Sequence, residues 1–355
     1  MPVPQQRDPE LTRKRLTGWL AERLPSAGEP RIAVTVPQGA GFSHESLLVD
    51  AEWTDRGRPR STRLVVRVAP AGYRVMPVSH LDDEYAILSA LAGTDVPVPA
   101  VLGHEPDPGL LGAPFYAMAH VDGWVPTDLP SYHRAGPLHD LPAGGRAAVW
   151  SNGVDVLRRL HRLDPAALGL TGLRAPAGLT AQLDFYERHL DHFDGPGAGV
   201  AVRALDVLRA ALPPRPATPR LVWGDARLGN LLYSGTAVAA VLDWEMAFLG
   251  PGEADLGWYL WFDRHLSEGV GAPRLPGLPG RTETVRRYAS GAAAAARETA
   301  EHLGWYELFA GFRFALIANR VGRLIVEHGM VASEDDVPLA RNAARLLDRA
   351  LHERT

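Results

Sequence analysis

The chain has 355 residues, 46% hydrophobic and 22% charged, which supplies enough apolar material for one large or two ordinary buried cores. A formal net charge of −4 provides no basic field for a nucleic-acid backbone or an anionic membrane surface, so neither is an expected partner. There is no cysteine, which excludes disulfides, thiolate metal sites and a cysteine nucleophile; the single lysine, Lys14, leaves any fixed cation to arginine.

The opening residues lack the apolar core of a signal peptide, and no apolar run approaches the roughly 20 residues of a membrane span. The expected location is cytoplasmic. "RDPELTRKRLTGWLAERL" predicts a leading helix: Asp8 is the N-cap, Pro9 takes the first helical position, and Leu11, Leu16, Trp19 and Leu20 share one face. "RIAVTV", "ESLLVDAEW" and "TRLVVRVA" are β-branched or alternating runs, the pattern of an antiparallel meander. "SHLDDEYAILSALAG" reads as a helix with Tyr85, Leu88 and Leu91 inward and Gly93 closing it, followed by strands in "AVLGHE" and "PFYAMAHV".

From about residue 144 the apolar spacing becomes helical, in "GRAAVWSNGVDVLRRLHRL", "LTAQLDFYERHL" and "VAVRALDVLRAAL". Two short runs, "RLVW" and "AVAAVLDW", interrupt it as small strands. A Pro/Gly loop at 271–281 precedes helices expected at 282–303, 305–329 and about 336–353. Residues 123–142 read equally as a hinge with a flexible loop or as an ordinary surface connection.

The chemistry concentrates in "LVWGDARLGNLLYSGTAVAAVLDWEMAFLG", residues 221–250. Asp225 stands at a strand exit, Asn230 closes a four-residue spacer, and Asp243 ends the next apolar run. Phosphoryl transfer needs a group that orients an attacking hydroxyl and metal ions that neutralise crowded phosphate oxygens. Asn230 and Asp243 are suitable hard oxygen ligands, and Asp225 is suited to accept the substrate proton.

The series of Gly224, Asp225, Asn230, Asp243, Trp244 and Glu245 resembles that of the aminoglycoside phosphotransferase-like kinases. "WGDARLGN" and "VLDWEMAFLGPGEADLGWYL" look especially similar to the kinase-like domain that occurs alone in many bacteria and fused to some acyl-CoA dehydrogenases. The likeness runs from about residue 35 to 330. It implies an α+β, bilobal protein-kinase-like fold: an antiparallel-sheet N-lobe at 1–117, a hinge at 118–124 and a helical C-lobe at 125–355.

The same resemblance implies Asp225 as catalytic base, Asn230 and Asp243 as Mg²⁺ ligands, and Asp255 as a brace for the catalytic loop. "PQGAGFSHESLLV" would cover the nucleotide phosphates through Gly39, Gly41 and Ser43. Arg67 occupies the place of the family's phosphate-binding lysine, a swap that keeps the charge but not the size, and Glu84 matches the helix acid that pairs with it. Met118, Ala119 and Val121 lie in the segment that would receive a purine edge. Trp223 replaces the usual His before Gly-Asp, which puts the loop geometry in question more than the base.

The expected function is transfer of the γ-phosphoryl of ATP or GTP to a hydroxyl of a small molecule. The alternative is a degenerate kinase that binds nucleotide or metabolite without transfer. Acids and arginines balance in the C-terminal helices, which disfavours a polycationic acceptor and favours a neutral or anionic one such as a hydroxyacyl compound. Glu245 reads as a metal-site group or a strand-end acid, Arg227 as a phosphate contact or a solvated loop residue, and His161 as a packed or surface residue. Arg313, Asn319 and Arg320 are placed either in the core stripe or toward the substrate cleft.

Overall fold

Asp8 opens the chain's first helix as its position before Pro9 implies: its carboxylate accepts from Leu11 N at 2.7 Å and starts α1 (Pro9–Ala21). The computed structural model describes residues 8–25, 29–36, 44–70, 73–214, 218–333 and 337–354. The strands that follow are β1 (Arg31–Thr35), β2 (Glu45–Asp55) and β3 (Arg58–Val68). Between β2 and β3, Arg56 and Gly57 both have positive φ, the backbone a two-residue hairpin turn needs to match strand twist. α2 (Leu81–Leu91), β4 (Val101–Glu105) and β5 (Phe115–Ala119) complete this part.

The five strands form one antiparallel sheet in the order β1-β2-β3-β5-β4. Leu16, Trp19 and Leu20 of α1 pack in one core with Leu47, Val49, Val66 and Phe115 of the sheet. The register sets Arg67 of β3 opposite Ser46 of β2 and Tyr116 of β5.

The chain divides into two units, Met1–Ala92 with Pro99–Val121, and Gly93–Val98 with Asp122–Thr355. The sequence reading ended the first region at 117 and left 93–98 within it. In the structure β5 runs on to Ala119, and Pro97 O accepts from Val241 N of the second unit at 2.8 Å.

The second unit contains α3 (Pro137–Asp140), α4 (Ala143–Leu160), α5 (Leu179–Arg188) and α6 (Ala198–Ala210). Four short strands come next, β6 (Arg220–Val222), β7 (Leu231–Ser234), β8 (Ala237–Val241) and β9 (Phe248–Gly250), then α7 (Glu253–Leu266), α8 (Arg281–Tyr288), α9 (Ala293–Glu327) and α10 (Pro338–His352). β6 pairs with β9 and β7 with β8, so each expected strand gains a partner the apolar pattern did not announce. The helix boundaries also differ from expectation. Ser290 and Gly291, both at positive φ, end the segment after α8, whereas Gly304 lies inside α9, which runs unbroken for 35 residues. Among the described residues no helix is long and apolar enough to cross a membrane.

α7 and α9 approach closely because each offers the other a glycine. A Cβ on Gly257 of α7 would stand 2.6 Å from the Tyr306 backbone of α9, and one on Gly311 of α9 would stand 2.4 Å from the Trp261 ring of α7. Gly257→Ala must therefore push two backbones apart. It should destabilise the protein by about 1–3 kcal/mol, read as a lower midpoint in urea unfolding.

Candidate active site

In the first unit, Arg67, one of the residues expected at the nucleotide, lies beside Glu84. This α2 carboxylate is fully buried, where a charge without hydrogen-bond donors would be costly. Tyr116 Oη donates to its Oε2 at 3.2 Å, His44 Nε2 lies 3.3 Å from its Oε1, and Arg67 Nη2 is 3.8 Å from Oε2. His44 Nδ1 is in turn 3.3 Å from Arg67 Nη2. Burial, assisted by the Arg67 charge, holds the His44 pKa well below the ordinary histidine value.

The expected phosphate-covering residues Gly39, Gly41 and Ser43 lie outside the described residues. In the expected purine-binding segment, two N–H groups are already bonded. Ala119 N donates to Ala100 O at 2.7 Å and His120 N to Arg63 O at 2.9 Å, so these two N–H groups belong to the sheet. Met118 is buried within β5, which leaves Val121 as the member of that set beyond the strand.

In the second unit the loop from β6 to β7 carries Asp225 and Asn230, and Asp243 follows β8. The loop leaves β6 through Gly224, whose φ is +91°; a Cβ there would meet Met246 O at 2.0 Å, so only glycine fits. Asp255, in the first turn of α7, is fully buried. It accepts from Trp223 N at 2.7 Å, Gly224 N at 2.8 Å and His161 Nε2 at 2.9 Å. Its charge also sits at the positive end of the α7 dipole. His161 is thus a packed residue, with Tyr288 Oη 2.8 Å from its Nδ1.

Trp223 takes over a tether at this point. Its indole N–H donates to Leu242 O at 3.0 Å and Asp243 O at 2.8 Å, tying the β6 exit to the β8 exit. Leu242 N donates to Asn230 O at 2.9 Å, which brings the loop end to the same place. Asp243 itself adopts φ +62°, a left-handed conformation uncommon for a non-glycine residue and the kind of strain that collects at functional sites.

Three donors fix the Asp225 carboxylate. Trp258 Nε1 donates to Oδ1 at 2.8 Å; Asn230 Nδ2 and Arg227 Nε donate to Oδ2 at 2.7 and 3.1 Å. Among the described residues, Oδ1 accepts from Trp258 alone, and a carboxylate oxygen can accept a second hydrogen bond. Arg227 also pairs with Asp128 through Nη1 and lies over the Phe262 ring at 5.0 Å. Burial alone would lower the Arg227 pKa, but Asp128, Asp225 and, less strongly, Asp243 hold it above its ordinary value. Burial raises the pKa of Asp128; Arg227 opposes that shift and Asp225 adds to it.

Asp225, Asn230 and Asp243 are therefore joined by direct bonds or by their neighbours, and Arg227 is paired rather than solvated. Glu245 follows half-buried. Arg313 and Asn319 do not face a cleft. Arg313, 1% exposed, donates to Gly224 O and Tyr186 Oη, while Asn319 bonds Gly197 N and Phe193 O; both side chains serve the core. Arg320 pairs with Glu327. Sequence reasoning missed His44, Asp128 and Trp258. Only Trp258 had a signal, since it follows Asp255 by three residues and so shares its helix face.

A profile of the phosphotransferase enzyme family matches residues 40–284, more than half of the chain. The chain belongs to this family. Acyl-CoA dehydrogenase family member 11 of Gallus gallus is 33% identical over 208 residues, which is 56% of this chain and 25% of that protein. The chain thus spans about a quarter of the length of that relative. A putative aminoglycoside phosphotransferase from Ralstonia eutropha superposes with a TM-score of 0.69 at 21% identity, covering 95% of this chain and 96% of the other. The aminoglycoside phosphotransferase APH(4)-Ia, solved as a ternary complex with ADP and hygromycin B, gives 0.56 at 15% identity, covering 94% and 98%. The fold of the phosphotransferase is accordingly kinase-like, with a five-stranded antiparallel sheet in one unit and mostly helices in the other.

Asp255 holds the start of the catalytic-loop candidate in this phosphotransferase. Removing one partner from a buried charged network costs about 3–5 kcal/mol, so Asp255→Ala should lose stability on that scale in chemical denaturation.

Proposed function

We infer that the protein transfers the γ-phosphoryl group of ATP or GTP to a hydroxyl of a small molecule. The observation that carries this reading is the Asp225 carboxylate, fixed by Trp258, Asn230 and Arg227, with Trp258 the one donor to Oδ1 among the described residues. In this reading the acceptor hydroxyl hydrogen-bonds to that oxygen. Its oxygen forms the new bond to the γ-phosphorus as the bond to the β,γ-bridging oxygen breaks, the proton passes to Asp225, and the nucleoside diphosphate leaves.

The donor set suits Mg²⁺. Among the described residues no three acids or histidines form a closed metal cage. Mg²⁺ is commonly held by one or two carboxylates together with substrate phosphates and water. Asn230 commits its NH₂ to Asp225, which leaves its amide oxygen, with the Asp243 carboxylate, as the proposed ligands. Asp128, Asp225 and Asp243 all act on the Arg227 guanidinium. Bound there, Mg²⁺ would neutralise phosphate oxygens during transfer. Arg67 is assigned to the nucleotide phosphates, and Gly39, Gly41, Ser43 and Val121 stay candidates for nucleotide contacts.

The acceptor we favour is a neutral or anionic hydroxyl compound of acyl type. The balanced acids and arginines support it, as does the acyl-CoA dehydrogenase name of the relative. A cytoplasmic location fits these substrates. The decisive experiment incubates the protein with Mg²⁺, γ-labelled ATP or GTP and a panel of hydroxyl compounds, reading the mass gain of one phosphoryl group. Nucleotide binding with no transfer to any member would favour the degenerate-kinase reading.

Asp225→Asn should lower kcat by about 10²- to 10⁴-fold, the usual worth of a positioned base, while nucleotide affinity stays within about twofold in equilibrium binding. Trp258→Phe keeps most of the ring but removes the N–H from Asp225 Oδ1. Since a hydrogen bond to a charged group is worth about 1.5–3 kcal/mol, kcat should fall about tenfold or more with KM for nucleotide nearly unchanged, checked by steady-state kinetics.

A further inference from the structure

The Asp128 carboxylate serves one partner. Its Oδ2 accepts from Arg227 Nη1, while its Oδ1 is buried and meets no hydrogen-bond donor among the described residues. An ion pair desolvated this far contributes little net stability, so its use lies in what it places. The backbone that carries it is fixed on both sides. Upstream, Trp124 and Tyr233 exchange backbone hydrogen bonds of 2.9 and 2.8 Å. Downstream, Ser131 Oγ donates to Leu266 O at 2.6 Å, Tyr132 Oη to Asp263 Oδ1 at 2.8 Å, and Leu275 N to His133 Nδ1 at 3.0 Å.

Arg227 is held by three contacts. Nη1 donates to Asp128, Nε donates to Asp225 Oδ2 at 3.1 Å, and the guanidinium carbon stands 5.0 Å from the centre of the Phe262 ring. A guanidinium that meets a single carboxylate commonly closes on it with two nitrogens. Here it gives one to Asp225 and one to Asp128. Gly229 makes room for this arrangement: a Cβ there would stand 2.6 Å from Arg227 Nη1 and 2.9 and 3.2 Å from the two Asp128 oxygens. Its φ is not left-handed, so space rather than backbone freedom calls for the glycine.

We propose that Asp128 is a positioning residue for phosphoryl transfer: it draws one end of the Arg227 guanidinium to itself, so that Arg227 supports the base Asp225 through Nε alone. The inference rests on the reading of Asp225 as the base. Without the Asp128 charge, the guanidinium is free to close on Asp225 with two nitrogens or to leave it. Either movement turns the carboxylate away from the direction that Trp258 and Asn230 give it, and the loss falls on the chemical step.

The test is steady-state kinetics of the full chain with Mg²⁺, γ-labelled ATP or GTP, and the member of the hydroxyl panel that the wild-type chain phosphorylates fastest. Asp128→Asn, which keeps the shape but not the charge, should lower kcat about tenfold, the worth of a hydrogen bond between charged groups, with KM for nucleotide within about twofold. In an Arg227→Met background, which has no guanidinium to place, the same change should cost less than about twofold in kcat. If Asp128→Asn does not fold, as judged by circular dichroism, Arg227→Lys carries the test. Its ammonium is a point charge that cannot bridge two carboxylates in a fixed plane, so kcat should again fall about tenfold. Equal losses in the two backgrounds, a loss confined to KM, or wild-type kcat in Asp128→Asn or Arg227→Lys would overturn the proposal. A wild-type chain that transfers to no member of the panel overturns the underlying reading, and the role of Asp128 with it, before any substitution is made.

Discussion

The carboxylate of Asp255 is the contact on which the second unit's chemistry depends. It converts the N-terminal turn of α7 into an anchor for two consecutive peptide N–H groups, Trp223 and Gly224, at the point where β6 ends and the loop begins. Neither N–H could be left unpaired at that depth without a cost of about 1–3 kcal/mol each. The same carboxylate accepts from His161, so α4, α7 and the loop are joined at one buried charge. Asp225 follows this anchor directly, and its direction is therefore set before any ligand arrives.

The opposite side of the Gly224 peptide is held by a cation. Arg313, buried in α9, donates to Gly224 O at 3.3 Å and to Tyr186 Oη at 3.2 Å. Its guanidinium carbon lies 4.8 Å from the Trp258 ring centre and 5.2 Å from that of Phe309. Cation–π contacts contribute about 0.5–2 kcal/mol each, more when desolvated, which offsets part of the cost of burying this charge. Trp258 is the ring that donates to Asp225, so the support continues from Arg313 through Trp258 to the carboxylate. The close α7–α9 contact at Gly257 and Gly311 lets these two helices bring both residues to the loop.

Local patterns made much of this legible. The five sheet strands and the leading helix followed from alternation, β-branching and the Asp8-Pro9 cap, since each of those signals acts within a few residues. Asp225, Asn230 and Asp243 were visible because strand ends and a fixed spacer bring them together along one stretch of chain. What escaped was non-local or compensatory. Asp128 reaches Arg227 across about 100 residues of sequence, and no periodicity encodes such a pairing. β7 and β9 were hidden because their few residues are apolar without a distinct alternation. Arg313 sits in an apolar stripe that left core and cleft equally open; the aromatic rings around it, which make its burial tolerable, come from distant parts of the chain. The helix end at Ser290 and Gly291 lies inside the expected 282–303 helix, because residue propensity does not report a positive φ.

Trp223 shows how a single ring N–H can hold two loop ends together. In this chain Trp223 ties the start of the loop to the end of β8 through its ring N–H. Indole has that donor, and here it is shared between the carbonyls of Leu242 and Asp243. A neutral histidine would offer one donor as well, but it would bring an acceptor nitrogen requiring its own partner and a proton affinity close to physiological pH. The tryptophan ring is fully buried against Trp244 at a centroid distance of 5.9 Å, so the tie is dry and does not titrate. The left-handed backbone of Asp243 is held by this bond to its own carbonyl oxygen. Trp223 thus ties the proposed metal ligand Asp243 to the strand end whose Leu242 bonds Asn230.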